Sequence, residues 1–176
     1  EAPLVDISAY AADATQYAKI YGKEFFYSNG VYTNTADQNY QADSSLVDAN
    51  ALFGKKVVAY IGAHADNETG RRMIYAMSEK QGANEVTVIN ANQLVVSDTD
   101  DGEISYKKEG ASRATDVKLA PTAAIYVNFD VNALTGATAD TADIAGLASA
   151  GVVELISNNN DSFIDYVMIT AYQNEA

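Results

Sequence analysis

The sequence contains no cysteine, no tryptophan, a single histidine and only two prolines among its 176 residues. Without cysteine no disulfide can form, so a chain of this length must be stabilised by its own apolar core. The absence of thiols fits either a reducing cytosol or the exterior of a Gram-positive-type cell. One histidine without cysteine argues against both a His/Cys zinc site and a nucleophilic triad.

Positive charge is also scarce. The 11 lysines and arginines face 24 acidic residues, which gives a net charge of -13. Such a chain repels phosphate backbones and anionic lipid headgroups. No apolar run approaches the roughly 20 residues that cross a bilayer. We therefore expect no nucleic-acid partner and no membrane insertion.

What the sequence has in abundance is β-forming residues, with 12 tyrosines against 5 phenylalanines. Short runs of β-branched and aromatic residues alternate with Gly, Asn and Asp, the punctuation of strands and turns. Asn29-Gly30 predicts a type I′ hairpin between two such runs. The remaining expected strands are Val57–Ile61, Met73–Met77, Glu85–Ile89, Leu94–Val96, Glu103–Tyr106, Ala123–Val131 and the two arms of a closing hairpin within 151–172.

Three segments favour helices. Apolar residues recur every three or four positions from Ile7 to Tyr21, which predicts an amphipathic N-terminal helix that packs on its own core or on a neighbouring subunit. Ser45–Gly54 predicts a short helix, with Ser45 and Asp48 in capping positions and Gly54 as its stop. A second short helix is expected around Thr141–Ala148, in a segment rich in Ala, Thr, Asp and Gly. The polar stretch Asn34–Ser44 predicts a loop.

These elements predict a mainly β fold with a few short helices, a β-rich α+β class, arranged as an antiparallel meander, barrel or sandwich. No helices of crossover length separate the strands, which argues against a parallel α/β sheet. We expect residues 1–176 to form a single compact unit or two closely joined β subdomains, about 1–84 and 85–176.

The histidine, His64, lies in a polar stretch between two expected strands, near Asp66 and Glu68. A general base beside a carboxylate is one interpretation, and an exposed loop residue is the favoured one. No catalytic residue and no organic cofactor is therefore expected, and we predict that the chain is not an enzyme.

Two acidic turns concentrate oxygen atoms, the ligands that calcium prefers. Asp, Asn and Gly also stabilise hairpin turns through hydrogen bonds to the backbone, and this second interpretation is favoured for both turns. The calcium candidates are Asp98, Asp100, Asp101 and Glu103 in the first turn, and Asn158, Asn160, Asp161 and Asp165 in the second.

Tyrosines in the expected strands offer a different hypothesis. A flat row of aromatic side chains can stack on sugar rings, although strand tyrosines are more often core residues or cross-strand pairs. The tyrosines concerned are Tyr60, Tyr75, Tyr106, Tyr126, Tyr166 and Tyr172.

Several segments together resemble a known family. They are Leu52-Phe-Gly-Lys-Lys-Val-Val-Ala-Tyr60, Glu85–Leu94, Ala124-Ile-Tyr-Val-Asn128, Gly151–Asp161 and Ile164–Tyr172. This pattern is similar to the β-rich ectodomain region of clostridial-type cell-surface proteins that bear S-layer homology modules. Ser157 and Ser162 stand where that family usually has Asp and Gly, which weakens an inherited calcium site.

The resemblance and the acidic, thiol-free composition imply an extracellular location at the bacterial cell surface. We expect a noncatalytic structural protein, a component of a surface layer, fibre or wall-associated assembly, that self-associates into a polymer or lattice. The alternative is a carbohydrate-binding or adhesion module that uses the strand tyrosines to bind cell-wall polysaccharide.

Overall fold

The computed structural model describes residues 51–55, 78–79, 81–158 and 161–172 in full, together with the backbone of the strands that lie within 4–42, 57–61 and 71–77. The chain divides into two compact units, Glu1–Asn84 and Glu85–Ala176. In the described part, no helix has the length and apolar character to span a membrane.

The first unit is a closed sheet in the order β1-β2-β3-β4-β5-β7-β6, with β1 and β6 paired to complete the barrel. All its neighbouring strands are antiparallel except β5 and β7, which are parallel. The strands are β1 (Leu4–Ala12), β2 (Gln16–Ile20), β3 (Lys23–Ser28), β4 (Val31–Asn34), β5 (Asn39–Ala42), β6 (Val57–Ile61) and β7 (Arg71–Glu79).

The hairpin predicted around Asn29-Gly30 is confirmed by the pairing of β3 with β4. Ser28 lies opposite Val31, which leaves a two-residue loop, the length for which an Asn-Gly pair is suited. The loop residues themselves are outside the described residues.

The predicted N-terminal helix is wrong. β1 and β2 occupy this segment and pair with each other, with Ile7 opposite Ile20. Alanine fits a helical period as well as an alternating one, and several alanines contribute to the helical spacing. Val5, Ile7 and Tyr10 belong to the residue types that favour strands, and pairing with β2 and β6 outweighs the local helical pattern.

One further expectation for the first unit is wrong, and another lies mostly outside the described residues. β5 lies inside the stretch predicted as a loop. Its parallel partner β7 is about 30 residues away in sequence, so this pairing leaves no local signal in the sequence. The expected helix at Ser45–Gly54 is described only at its end, where Ala51–Lys55 forms a turn and Lys55 N–H donates to the Leu52 carbonyl at 3.1 Å.

The second unit is a mixed sheet in the order β11-β10-β13-β12-β8, with β9 also paired to β10. β10 and β13 are parallel and the other pairs are antiparallel. The mainly β class is thus confirmed, with mixed rather than purely antiparallel pairing. The elements are β8 (Glu85–Asn90), β9 (Glu103–Tyr106), β10 (Thr115–Val127), β11 (Asp130–Thr135), α1 (Thr141–Ala148), β12 (Val152–Ser157) and β13 (Phe163–Thr170).

α1 is where the sequence predicted it. The Asp140 carboxylate accepts the Asp143 N–H at 2.7 Å, and the Asp143 carboxylate accepts the Asp140 N–H at 3.3 Å. This reciprocal cap satisfies donors that the first helical turn leaves unpaired. Ile144 and Ala148 are fully buried, so the helix contributes one face to the core.

The core of the second unit is formed by apolar side chains of the sheet and of α1. β13 lies between β10 and β12, and Val167 and Met168, which lie on its opposite faces, are both buried. The central residues of the cluster include Ile89, Ile104, Leu119, Ile125, Ile144, Val153, Leu155, Val167 and Ile169.

Two strand predictions in this unit are wrong. Leu94 makes only an isolated bridge to Tyr106, because the chain has just left a short 3₁₀ turn at Ala91–Gln93. The expected strand Ala123–Val131 is divided by a turn at Asn128 and Phe129, whose φ angles are 49° and 67°. Those angles belong to a type I′ turn, and phenylalanine gives no sequence signal for one.

Thr141 links α1 to the sheet, and its replacement tests that link. Its buried hydroxyl oxygen accepts the Ser105 N–H at 2.9 Å. Thr141→Val keeps the side-chain shape but leaves this N–H without its acceptor, so we expect the free energy of unfolding to fall by about 1–3 kcal/mol. Urea denaturation measures the change. Thr141→Ser, which keeps the hydroxyl, should lose clearly less, and an equal loss in both variants would contradict this role.

Candidate functional site

The first acidic turn connects the Leu94 bridge to β9 and is held from both sides. The Asp98 carboxylate accepts the Asp100 N–H at 3.0 Å. Gly102, with a φ of 80°, donates its N–H to the Ala139 carbonyl and accepts the Leu119 N–H, both at 2.8 Å. The turn is therefore an ordered part of the second unit, and Asp98 acts in it as a turn-stabilising residue.

The register of β9 with β10 completes an acidic cluster at this turn. Asp116 lies opposite Ser105, and Lys118 lies opposite Glu103. One carboxylate oxygen from each of Asp98, Glu103 and Asp116 lies within 4.8 Å of the other two. The structure thus brings together two of the residues predicted from the first turn, whereas Asp100 and Asp101 are exposed and outside this cluster.

Asp116 is the member that sequence reasoning missed. It is on the neighbouring strand, and only the pairing of β9 with β10 brings it beside Glu103. The alternation Thr115-Asp-Val-Lys-Leu119 was the available signal, because it marks an amphipathic strand. The Ser105 hydroxyl, on a buried residue, donates to Asp116 Oδ1 at 2.6 Å and so orients this carboxylate.

The chemistry open to this cluster is that of a hard cation, since calcium takes six to eight oxygen ligands. Three carboxylates supply part of that set. Lys118 shares the sheet face of Glu103 and Asp116, and its positive charge opposes cation binding there. Asp98 and Glu103 are half-buried and Asp116 is exposed, so water reaches the group and weakens the repulsion among the carboxylates.

Neutralising one carboxylate of the cluster distinguishes a calcium site from a group of turn-stabilising carboxylates that only repel one another. Asp116→Asn keeps an acceptor for Ser105 but removes one of three neighbouring negative charges. In chelator we expect a stability gain of about 1 kcal/mol or less, the scale of a pair of unit charges at this distance in water. Differential scanning calorimetry measures it.

Asp130→Asn, which removes an exposed carboxylate on β11, is the matched control and should change stability less. If the cluster holds calcium, millimolar calcium should raise the melting temperature of the native chain and not that of Asp116→Asn. A lower stability of Asp116→Asn in chelator would contradict the repulsion among these carboxylates.

The second acidic turn joins β12 to β13. Asp165 Oδ2 accepts the Asn158 N–H at 2.9 Å, and Asp161 Oδ1 accepts the Phe163 N–H at 2.9 Å. Ser157 Oγ donates to the Asp161 carbonyl at 3.4 Å. Both carboxylates therefore carry hydrogen bonds typical of side-chain-stabilised turns, and Asn160 lies outside the described residues.

The strand tyrosines of the second unit are mostly in the interior. Tyr106 and Tyr126 are buried, and the rings of Tyr126 and Tyr166 stack with centroids 6.4 Å apart. Tyr172 is 60% exposed. The side chains of Tyr60 and Tyr75, like His64 with Asp66 and Glu68, are outside the described residues.

A shallow groove of about 710 Å³ lies beside the 3₁₀ turn. Its walls carry side-chain amides, two lysines and one carboxylate, Glu109, and are formed by residues 90, 92–95 and 107–111. Lys107, Lys108 and Glu109 are exposed, so water solvates these charged groups. An activated base or nucleophile is usually desolvated instead.

Comparison of the chain with protein-family models, with curated proteins and with solved structures found no match.

Proposed function

We propose that this chain is a noncatalytic structural protein of the bacterial cell surface, a component of a surface layer, fibre or wall-associated assembly that works through contacts between subunits. The observation that carries the proposal is how the second unit uses its acidic side chains. Carboxylates that accept a backbone N–H within a turn or helix cap are those of Asp98, Asp140, Asp143, Asp161 and Asp165.

Carboxylates that accept hydrogen bonds from the backbone in this way stabilise the fold. A general acid or base must instead reach a substrate from a cleft, commonly with a second polar group that orients it. Asp116 is oriented by Ser105, but it is an exposed residue on a sheet. Within the described residues the acidic groups therefore favour a structural role over a catalytic one.

The charge and composition of the chain support an extracellular location at the bacterial cell surface. A net charge of -13 without cysteine suits a protein that stays folded outside the cell without disulfides. The resemblance to the β-rich ectodomain regions of surface proteins with S-layer homology modules points the same way. On this proposal the partners are further copies of the chain, and His64→Ala leaves assembly unchanged.

Negative-stain electron microscopy of the purified chain tests the proposal. We expect ordered polymers or lattices at high protein concentration, examined with millimolar calcium and with chelator. The acidic cluster makes calcium the relevant variable, because a bound cation would lower the repulsion among subunits. Isolated particles under both conditions at high concentration would contradict a structural role of this kind.

The alternative is a carbohydrate-binding or adhesion module. One observation favours it: Tyr172 presents an exposed aromatic ring just after β13, and exposed aromatic rings can stack on sugars. Affinity electrophoresis against cell-wall polysaccharides distinguishes the two functions. Retardation that Tyr172→Ala abolishes would support the binding module, whereas an assembly subunit should migrate unretarded.

A further inference from the structure

β8 is an edge strand of the second unit. It pairs with β12 along its whole length, from Glu85 opposite Ser157 to Asn90 opposite Val152. On its other side no strand pairs with it among the residues that the structure describes. This side of β8 is named the open edge.

The backbone groups on the open edge follow from the hydrogen-bond pattern. Ala91 N–H donates to the Gly151 carbonyl at 3.0 Å, which places residues 87 and 89 with their backbone groups toward β12. Val86, Val88 and Asn90 therefore face away from β12. In agreement, Asn90 N–H donates to Gln93 Oε1 at 2.8 Å. The N–H and C=O groups of Val86 and Val88 remain on the open edge.

The opposite edge, β11, is blunted. Leu134 N–H donates to Asn132 Oδ1 at 3.0 Å, and Thr135 N–H donates to Thr138 Oγ1 at 3.1 Å. The pairing of β11 with β10 is also irregular. Side-chain bonds and irregularity are means by which proteins protect sheet edges from further pairing.

The central residues of β8 have no comparable protection, since the side-chain bond to Gln93 covers only Asn90 at the end of the strand. Its sequence, Glu-Val-Thr-Val-Ile-Asn, contains no proline, lysine or glycine, and β-branched residues fill its centre. Val88 is 59% exposed although it is apolar. An unguarded edge of this composition is suited to pairing with another strand.

We propose that the open edge of β8 pairs with β8 of a second copy of this chain, antiparallel and about a twofold axis at Thr87. This inference rests on the proposed function, since it names one of the subunit contacts. In this register Val86 lies opposite Val88 of the second copy and Val88 opposite Val86. About four backbone hydrogen bonds form between groups that the open edge already presents.

The same register is complementary in its side chains. Val86 and Val88 of the second copy lie on one sheet face and cover each other's apolar surface. Glu85, the only charged residue of β8, lies opposite Ile89. The two Glu85 carboxylates are then about 14 Å apart, which exceeds the Debye length of about 8 Å at physiological ionic strength. The twofold contact therefore avoids direct repulsion despite the acidic chain.

Sedimentation equilibrium of the complete chain at physiological salt tests the contact. We expect a monomer–dimer equilibrium. Val88→Lys should weaken dimerisation by about tenfold or more, because it places a charged lysine opposite Val86 at both symmetry-related positions and so replaces the apolar contact. Val131→Lys is the matched control, since Val131 is a similarly exposed valine on the blunted edge, and it should dimerise as the native chain does.

A second measurement does not depend on a variant. Hydrogen exchange at the Val86 and Val88 amides should slow as the protein concentration rises, since dimerisation protects these donors. Exchange at both amides that is independent of concentration, or equal dimerisation of Val88→Lys and the native chain, would overturn the inference.

The outcomes also separate this contact from the proposed function. Polymers of the native chain that persist unchanged in Val88→Lys would refute pairing through β8 and leave the structural role intact. A native chain that stays monomeric and never polymerises would refute both.

Discussion

Gly151→Ala is expected to lower the free energy of unfolding of the second unit by at least about 3 kcal/mol. A Cβ atom at Gly151 would lie 1.9 Å from the Thr170 carbonyl oxygen and 2.9 Å from the Ala148 carbonyl oxygen. Both obstacles are backbone atoms, so no side chain can move aside.

The environment of Gly151 explains why the backbone cannot relax there. Its N–H donates to the Ala148 carbonyl at 2.8 Å, and its own carbonyl accepts the Ala91 N–H. The residue thus joins the end of α1, the start of β12 and the end of β8. Displacing it disturbs all three elements, which is why we expect a loss larger than that of an ordinary surface substitution.

Gly146→Ala is the matched control for this experiment. Gly146 is an exposed residue inside α1, and a Cβ atom there would meet nothing within 4 Å. Alanine in a helix interior should raise stability by roughly 0.5–1 kcal/mol. Urea denaturation measures the free energy of unfolding of both variants. A loss of stability in Gly151→Ala that is no larger in size than the change in Gly146→Ala would contradict the close approach of β12 to β13.

Ile144→Ala is expected to cost about 2–5 kcal/mol of stability. Ile144 is a fully buried residue of α1 and belongs to the core cluster with Ile104, Ile125 and Leu155. Alanine has a higher helix propensity than isoleucine, so the substitution favours the isolated helix. Any loss must then come from the packing of α1 on the sheet.

A graded series checks this interpretation. Ile144→Val removes one methylene and should cost roughly 0.5–1.5 kcal/mol, between the native chain and Ile144→Ala. Thermal denaturation followed by circular dichroism measures the series. Unchanged stability in Ile144→Ala would show that α1 does not seal the core of the second unit.

The elements that could be predicted from the sequence are those specified by residues close together in the chain. α1 lies at the bounds that the sequence predicted, and the structure shows that its cap is local: Asp140 and Asp143 are three residues apart. The β3–β4 hairpin was predicted from the Asn-Gly pair for the same reason. Signals that act within a few residues survive the folding of the rest of the chain.

The secondary-structure predictions that were wrong concern segments whose conformation depends on residues far away in sequence. β1 pairs with β6, whose residues are about 50 positions away in sequence. No pattern in the first 20 residues reports that partner. The turn at Asn128 depends on β13, since Asn128 N–H donates to the Ile169 carbonyl and its side chain accepts the Ala171 N–H. Long-range contacts of this kind override local propensity.

The candidate site was predictable to the same degree. Asp98 and Glu103 are close in sequence and were predicted together. Asp116 joins them only through strand register. The open edge of β8 likewise required the sheet order, because a strand sequence does not state whether one or both of its sides are paired.

Sedimentation velocity over a wide concentration range, with millimolar calcium and with chelator, tests the central claim most directly. If the chain works through subunit contacts, its sedimenting mass should rise from that of a monomer, 18.8 kDa, to dimers and larger assemblies as concentration increases. A single monomeric species at every concentration under both conditions would contradict the account.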